Sequence, residues 1–546
     1  MSPLMAVPTA VPMPTNPLVT PLLTDFYEIS MCYAHFKHGR HLKPAVFELY
    51  FRKNPFHGEF TVFAGLDEAM RYIANFKFAP DDVDYLRTLL PTAEEAFFEW
   101  LLSLDCSQVQ VYAIREGTVV FPIEPLIRIH GPLGISQLLE TTLLNLVNFA
   151  SLVTTNAARF RLSVGPEAKL LEFGCRRAQG PDGAISASRY AYTGGFDATS
   201  NVMAGKLFGL PVSGTHAHSY VQGYMSLDEV PDQRLLNGVD VVARALAWRS
   251  KLGDDESGAH DGELAAFLSY ALAFPFNFLA LIDTYSSIES GLKNFFCVAL
   301  ALKEAGYQPK GVRIDSGDLA YLSRTIVLEC DKVVQAFAGT PDEAITSCLK
   351  DVQIVASNDI NESVLISLKE QGHGITCFGI GTHLVTCQAQ PALGCVYKLV
   401  EMSGQPCIKL SDNISKTTIP GAKAAFRIVG ADGTMLLDLL APASHEPPEV
   451  GERILCRHPF DQQKRAYVTP TIVIPLHTLV WDKGRLPAPL PTLQQIRGHV
   501  QKQLTLVRAD ILRTLNPTPY KISVTPGLYT FFLEIWQRNE PVRELS

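Results

Sequence analysis

The chain predicts an α/β protein: an irregular (β/α) barrel with an N-terminal α+β domain and a β-rich C-terminal region. Three observations predict it. From about residue 168 to 395, six short β-type runs alternate with longer helical stretches, the pattern of a parallel sheet covered by helices. Every run ends in Gly, polar or charged residues, as in barrels that build sites at the C-terminal ends of their strands. On either side of this stretch the alternation disappears. An open doubly wound sheet is the alternative arrangement of the same six units.

Taken in order, residues 1–17 contain no charge and are rich in Pro, Ala, Thr and Val. They lack the basic and apolar regions of a signal peptide and the arginines of a presequence, so a disordered extension is expected. Residues 18–160 form the predicted α+β domain. It reads as a helix at 22–36, strands at 45–51 and 60–64, and a helix at 66–76. A charged helical stretch at 81–104, strands within 109–123 and a long apolar helix at 137–158 follow. The barrel, 161–400, has predicted strands at 170–173, 210–212, 278–282, 311–314, 352–356 and 375–378. Residues 401–546 form the β-rich region. Strands are predicted at 396–402, 408–410, 424–429 and 436–440, with Pro-rich linkers near 441–449 and 485–491 and a final helical segment at about 493–515.

Composition narrows the function. The 546 residues carry 47 basic and 55 acidic side chains, a net charge of −8, with no Lys/Arg-rich run. Nucleic acid and anionic membranes are therefore not the expected partners. Eleven cysteines are scattered without a CxxC, which predicts free thiols in a reducing compartment, the cytoplasm. Residues 264–282 lack charge and have the length of a membrane span. Pro275, Asn277 and the following Asp283 make a buried helix and strand the better reading.

The strand tips carry the chemistry. In Gly311-Val312-Arg313-Ile314-Asp315-Ser316-Gly317-Asp318, alternation puts Arg313 and Asp315 on one strand face, opposite Val312 and Ile314. Buried without partners, these charges would cost several kcal/mol. They therefore meet each other as a structural pair, or meet a ligand. Gly379-Ile380-Gly381-Thr382 suits a phosphate through backbone N–H groups and the Thr hydroxyl. Glycines also occur in such turns for backbone reasons alone, and the run is neither a Walker motif nor a full dinucleotide fingerprint. Gly214-Thr215-His216-Ala217-His218-Ser219 offers a metal-binding pair, one reactive His or a structural His. Arg176 and Arg177 suit a phosphate or carboxylate, or a salt bridge to a loop acid. Asp283 and Asp315 suit ribose hydroxyls or a hydrated Mg²⁺, or backbone capping. Together the tips imply a phosphorylated ligand with hydroxyl groups.

These runs, with Pro21 to Tyr27, Glu172 to Gly183, Gly194 to Asp197, Asp283-Thr284-Tyr285 and Pro420 to Arg427, resemble the nicotinate phosphoribosyltransferase family nearly end to end. The resemblance implies a type II phosphoribosyltransferase fold and a homodimer with its active site at the subunit interface. It implies ATP-coupled conversion of nicotinate and 5-phosphoribosyl 1-pyrophosphate to nicotinate mononucleotide and pyrophosphate, the entry to NAD synthesis from nicotinate, with Mg²⁺ or Mn²⁺. It implies that His218 is phosphorylated by ATP. Tyr27 stacks on the pyridine ring from the partner subunit, and Thr215 and Arg313 hold nicotinate. Gly379, Gly381 and Thr382 contact the phosphoribosyl substrate, with Arg176, Asp283 and Asp315 on the same side. His216 falls at a variable position. Ser219 stands where bacterial relatives often carry Glu, which leaves open the carboxylate that orients His218. Two rivals stand beside this reading: the same fold acting on nicotinamide or quinolinate, and an inactive relative with a scaffold role. Retention of Tyr27, His218, Arg313 and Thr382 argues against the second.

Overall fold

The parallel strands follow barrel order, with one gap in the ladder. In the computed structural model, which describes residues 11–230, 235–253, 258–411 and 416–540, Lys169–Glu172 pairs with Ala198–Thr199. Val212 adds a single parallel bridge to Thr199. Leu279–Leu281, Gly311–Ile314, Gln353–Ala356 and Cys377–Ile380 follow as parallel neighbours. The last strand then pairs with the first, Phe378 lying opposite Leu170. Pairing of last with first is barrel order; the doubly wound orders do not produce it. The seam lies between Val212 and Leu279–Leu281. There the Leu281 N–H donates to His216 Nε2 at 3.3 Å, so a side chain spans the gap in the ladder.

Three details differ from the sequence expectation. The 210–212 strand is reduced to the Val212 bridge, Ala198–Thr199 is an additional short strand, and the 375–378 strand lies at Cys377–Ile380. The Gly311–Ile314 strand starts on a residue only Gly satisfies. Gly311 has φ 156°, and a Cβ there would sit 2.0 Å from the Gln353 carbonyl oxygen. Val312 and Ile314 are fully buried, so the opposite face is the one that carries charge. Asp318, the last acid of the run, caps the helix Leu319–Ala336 by accepting the Tyr321 N–H at 2.9 Å.

The barrel belongs to one compact unit, residues 157–388; the other joins residues up to 156 with those from 389 onward. The consecutive division into 18–160, 161–400 and 401–546 is redrawn, because strands from both ends of the chain share a sheet. Its order is Gln405–Pro406, Cys395–Met402, Pro44–Phe51, Ile127–Pro132, Gln110–Ile114 and His477–Asp482. Sequence reading sees alternation within a run and not its partner, so this joint sheet was hidden. A second sheet in this unit contains Arg465–Val468, Ile454–Arg457, Ile522–Val524, Met435–Pro442, Lys423–Val429 and Ile472–Pro475. Residues 408–410 are not a strand. The helix near 493 ends at Leu506, and a further helix, Pro526–Asn539, follows. The 81–104 stretch is two helices, Pro80–Leu89 and Glu95–Ser103, parted at Pro91, which cannot continue a helix.

Of the expected disordered extension, residues 1–10 lie outside the described residues. The described part is held: the Thr15 N–H and hydroxyl donate to Glu68 at 2.9 and 2.5 Å, and Asn75 donates to the Pro12 carbonyl at 3.1 Å. The stretch Leu133–Val164 is long and apolar enough to cross a membrane, but 61% of its most apolar window is buried inside the protein, as in a core helix. Residues 264–282 form the helix Asp261–Ala273, a short turn of helix and the strand Leu279–Leu281. All eleven cysteines are free thiols.

Candidate active site

Strand alternation brings Arg313 and Asp315 together, with Arg313 Nη2 3.3 Å from Asp315 Oδ2. The pair is not closed on itself. Arg313 Nε donates to Ser357 Oγ at 2.8 Å, and Ser357 Oγ donates to Asp315 Oδ1 at 2.7 Å. Arg313 Nη1 donates to Thr215 Oγ1 at 3.2 Å and the His216 carbonyl at 3.5 Å. Most of these contacts are long and go to neutral oxygens, which leaves the guanidinium able to exchange them for a ligand carboxylate.

This wall divides two cavities. One, of about 220 Å³, is lined by Arg176, Arg177, Asn358, Gly381 and Thr382; the other, of about 410 Å³, by Cys175, Gly214, Thr215, Ala217 and His218. Phe173, Arg176, Arg313 and Asp315 line both. Arg176 and Arg177 are exposed on the short helix Cys175–Arg177. Neither makes an ion pair among the described residues, and both line the smaller cavity, whose wall holds three arginines against Asp315 and Asp359. Thr382 opens the four-residue helix Thr382–Val385 at its edge.

His218 begins the helix His218–Gln222. Its Nδ1 is 3.1 Å from Thr284 Oγ1, and its Nε2 is 3.9 Å from Asp283 Oδ1 and 3.8 Å from Asp315 Oδ2. Two strand-tip carboxylates thus flank Nε2 beyond hydrogen-bond distance, and the hydrogen bond of the ring is to the Thr284 hydroxyl, at Nδ1. Asp283 Oδ2 accepts the Asp315 N–H at 2.9 Å and the Ser316 hydroxyl at 2.6 Å, tying two tips together. Its Oδ1 is buried and has no hydrogen-bond partner. A buried carboxylate oxygen without a partner is costly and marks a place for a cation or hydroxyl. Among the described residues no group of three or more His, Cys, Asp or Glu is arranged to hold a metal. Asp315, which lines both cavities, and Asp283, which accepts its N–H, are nevertheless a carboxylate pair of the kind that fits Mg²⁺, which takes its remaining ligands from water and phosphates.

His216 has a different task. Besides crossing the seam, its ring lies against Tyr270, with centroids 4.6 Å apart. Burial, aided by Arg313 and His218, lowers its pKa to about 4, so it is neutral at pH 7. Behind Asp283, burial raises the Glu263 carboxyl to about 7. Glu263 accepts from Ser290 and Asn294 at 2.6 and 3.0 Å, bracing the segment that follows Asp283.

Gly379 lines the smaller cavity and has a packing role as well. It lies inside Cys377–Ile380, and a Cβ there would be 2.4 Å from the Phe173 ring. Its glycine is needed to seat Phe173, over which Arg313 lies with its guanidinium carbon 5.5 Å from the ring centroid, a cation–π arrangement. Phe173, Thr284 and Ser357 were not singled out from sequence as site residues. All three stand at or just beyond strand ends, where the barrel rule would have found them. Tyr27 belongs to the other unit, on the helix Phe26–Lys37. It is 46% exposed, and its hydroxyl donates to Glu140 at 3.4 Å. Partial burial, with the Glu140 and Glu28 carboxylates nearby, pushes its pKa up.

Three family descriptions match in succession: nicotinate phosphoribosyltransferase N-terminal domain over residues 22–148, the nicotinate phosphoribosyltransferase family over 168–434, and the C-terminal domain over 422–532. Nicotinate phosphoribosyltransferase 2 of Arabidopsis thaliana is 52% identical, over 98% of this chain and 97% of that protein. The Homo sapiens nicotinate phosphoribosyltransferase is 44% identical over 93% and 95%. The crystal structure of human nicotinic acid phosphoribosyltransferase superposes with a TM-score of 0.82 at 42% identity, covering 94% of this chain and 99% of that one. Nicotinate-nucleotide pyrophosphorylase from Pyrococcus furiosus, 19% identical with a TM-score of 0.58 over 90% of this chain and 97% of that one, shares the fold. The type II phosphoribosyltransferase fold expected from the sequence is the one observed, and the chain belongs to the nicotinate phosphoribosyltransferase family.

Proposed function

We propose that this chain transfers phosphoribose from 5-phosphoribosyl 1-pyrophosphate to nicotinate in an ATP-coupled reaction, through a phosphorylated His218. The observation that carries this reading is the Arg313–Asp315 wall shared by a basic cavity and a cavity containing His218. In the transfer, the pyridine nitrogen bonds to ribose C1 while the C1–oxygen bond breaks and its electron pair leaves with pyrophosphate. Arg176 and Arg177 supply positive charge where the leaving group gains negative charge. Arg313, steadied by Thr215, holds the nicotinate carboxylate. Asp315 and Asp283 serve the ribose hydroxyls and are the residues that would hold the cation. Mg²⁺ or Mn²⁺, bound with the pyrophosphate, neutralises charge on the leaving group.

For coupling, a ring nitrogen of His218 takes the γ-phosphoryl group of ATP as the bond to ADP breaks; water later releases phosphate. The added charge orders the site and strengthens cation-mediated substrate binding. Eleven free thiols support a reducing, cytoplasmic setting. The direct test is a nicotinate mononucleotide assay with and without ATP. Stimulation by ATP in the wild type, absent in His218→Ala with a slow ATP-independent reaction remaining, is the expected result. Stimulation that persists in the variant overturns the phosphohistidine. Preference for nicotinamide or quinolinate over nicotinate overturns the substrate, and no product under any condition favours a scaffold.

Tyr27 is assigned to the pyridine ring in the partner's site of a homodimer. Co-assembly of Tyr27→Ala with His218→Ala then creates one intact site in each mixed dimer. Roughly a quarter of wild-type ATP-coupled turnover at low nicotinate should return. No recovery would mean that Tyr27 serves its own subunit.

A further inference from the structure

A separate cavity lies in the unit that joins the two ends of the chain, and no step of the proposed reaction uses it. Its volume is about 650 Å³, within the roughly 300–1,000 Å³ of small-molecule sites. Its wall includes Tyr520, whose ring stacks on the fully buried Phe121 with centroids 3.6 Å apart and planes 12° apart. The Tyr520 hydroxyl is already spent on Asp438 Oδ1 at 3.1 Å. What Tyr520 offers the cavity is therefore apolar ring surface. Leu437, Phe460 and Ile522 extend that surface.

The polar part of the lining is biased toward one charge. Arg52, Lys464, Arg465 and Lys521 line the cavity, against a single carboxylate, Glu59. Among the described residues Arg52, Arg465 and Lys521 make no ion pair, and Arg52 Nε is buried without a hydrogen-bond partner. Lys464 pairs only with the exposed edge of Asp461, at 3.2 Å. His458 adds a donor. Its Nδ1 accepts the N–H groups of Phe460 and Asp461 at 3.2 and 3.0 Å, which leaves the ring proton on Nε2. Ile123 lines the cavity with φ 66°, a conformation that β-branched residues rarely adopt and that gathers at ligand sites.

We propose that this cavity is a second binding site, for an organic anion with a flat apolar body: an aromatic ring system bearing a carboxylate, sulfonate or phosphate. The ring packs on Tyr520 and the aliphatic wall while the anion meets Arg465 and Lys521. Nucleotides and simple aromatic acids share this chemistry.

The probe is 8-anilinonaphthalene-1-sulfonate, titrated by fluorescence into the native full-length protein below its thermal transition. Saturable binding is expected, with the uncharged N-phenyl-1-naphthylamine at least about tenfold weaker. The exposed double substitution Arg465→Glu with Lys521→Glu should weaken the sulfonate by about tenfold or more. Ala466→Trp, at the exposed lining residue Ala466, should block it without changing charge. Both variants should keep the wild-type melting temperature and nicotinate mononucleotide formation. Displacement by AMP assigns a nucleotide; displacement by 2-naphthoate alone assigns an aromatic acid. Unchanged binding in both variants, equal binding of the neutral probe, displacement by neither competitor at millimolar concentration, or displacement by nicotinate with 5-phosphoribosyl 1-pyrophosphate each overturns the proposal.

Discussion

Two Arg–Asp pairs, one in each unit, show how a closed, buried ion pair differs from one that lines cavities. Arg427 and Asp438 face each other across adjacent strands and are 1% and 0% exposed. Two parallel bonds join them, Nε to Oδ1 at 2.9 Å and Nη2 to Oδ2 at 2.6 Å. Gln503 and the Val119 carbonyl accept two further Arg427 protons at 2.9 and 2.7 Å, and Tyr520 donates to Asp438. Four of the five guanidinium protons are thus engaged, all at 2.9 Å or less. Arg313 and Asp315 are 14% and 23% exposed and touch through one 3.3 Å contact. Their remaining bonds go mainly to hydroxyls, and both line two cavities. Among the described residues each guanidinium makes four hydrogen bonds, so contact length and exposure, rather than bond number or residue type, separate the two pairs.

The largest effect that tests this comparison is on stability. Arg427→Met leaves the buried Asp438 without its cation and should destabilise by roughly 3–5 kcal/mol, read as a large fall in melting temperature. Arg313→Lys should barely change melting temperature, because serine and threonine hydroxyls can turn to water or to the new ammonium. A greater stability loss at Arg313 than at Arg427 would reverse the assignment. In the assay the order inverts. Lysine cannot reproduce two parallel bonds to a carboxylate. Arg313→Lys should therefore raise the nicotinate KM by roughly 30-fold, about 2 kcal/mol, and the phosphoribosyl pyrophosphate KM by less. Equal changes in both would remove the division of labour along this strand.

The same contrast explains what could be read from sequence. Alternation alone placed Arg313 beside Asp315, and the strand Gly311–Ile314 lies where its residues predicted. Local rules see neighbours within a strand. They also found Thr215, His218, Asp283 and Arg176 one tip at a time, and the barrel brought those tips together. They did not see that His477–Asp482 would lie beside Gln110–Ile114, because register between distant strands leaves no mark in either run. Nor did they see that Gly379 makes room for Phe173. A glycine needed for packing and one needed for anion contact look alike until the neighbour is known. The Arg427–Asp438 pair was equally hidden, since its partners come from residues 119, 438, 503 and 520.

A smaller effect separates the units by pH. In the barrel His216 is buried and serves as a neutral acceptor for Leu281. Its folded pKa, about 4, lies below the ordinary value of 6.5 because burial disfavours the cation. The unfolded chain therefore binds the proton more readily, and stability is present above pH 6.5 and lost as pH falls toward 4. His216→Gln keeps an acceptor but does not titrate. On acidification the variant should gain stability relative to wild type, by roughly 2–3 kcal/mol near pH 4, read from melting temperatures at each pH. A constant difference from pH 7 to 4 would show that His216 does not carry this slope.

The finest test falls on Ser357, which holds the open pair together. It is the one hydroxyl bonded to both members, accepting from Arg313 Nε and donating to Asp315 Oδ1. Ser357→Ala leaves both charges beside cavities, where water can replace the lost bonds, so the folding cost should stay below about 1 kcal/mol. Substrate must then order a looser guanidinium and carboxylate on binding. The expected result is a three- to tenfold fall in kcat/KM, about 1 kcal/mol, for nicotinate and phosphoribosyl pyrophosphate together, because the bridge serves both neighbours. Ser357→Thr keeps the hydroxyl and should recover most of the loss. If alanine instead lowers the melting temperature as much as Arg427→Met does, the barrel pair is a structural clasp like its counterpart, and contact length and exposure are the wrong criteria for telling them apart.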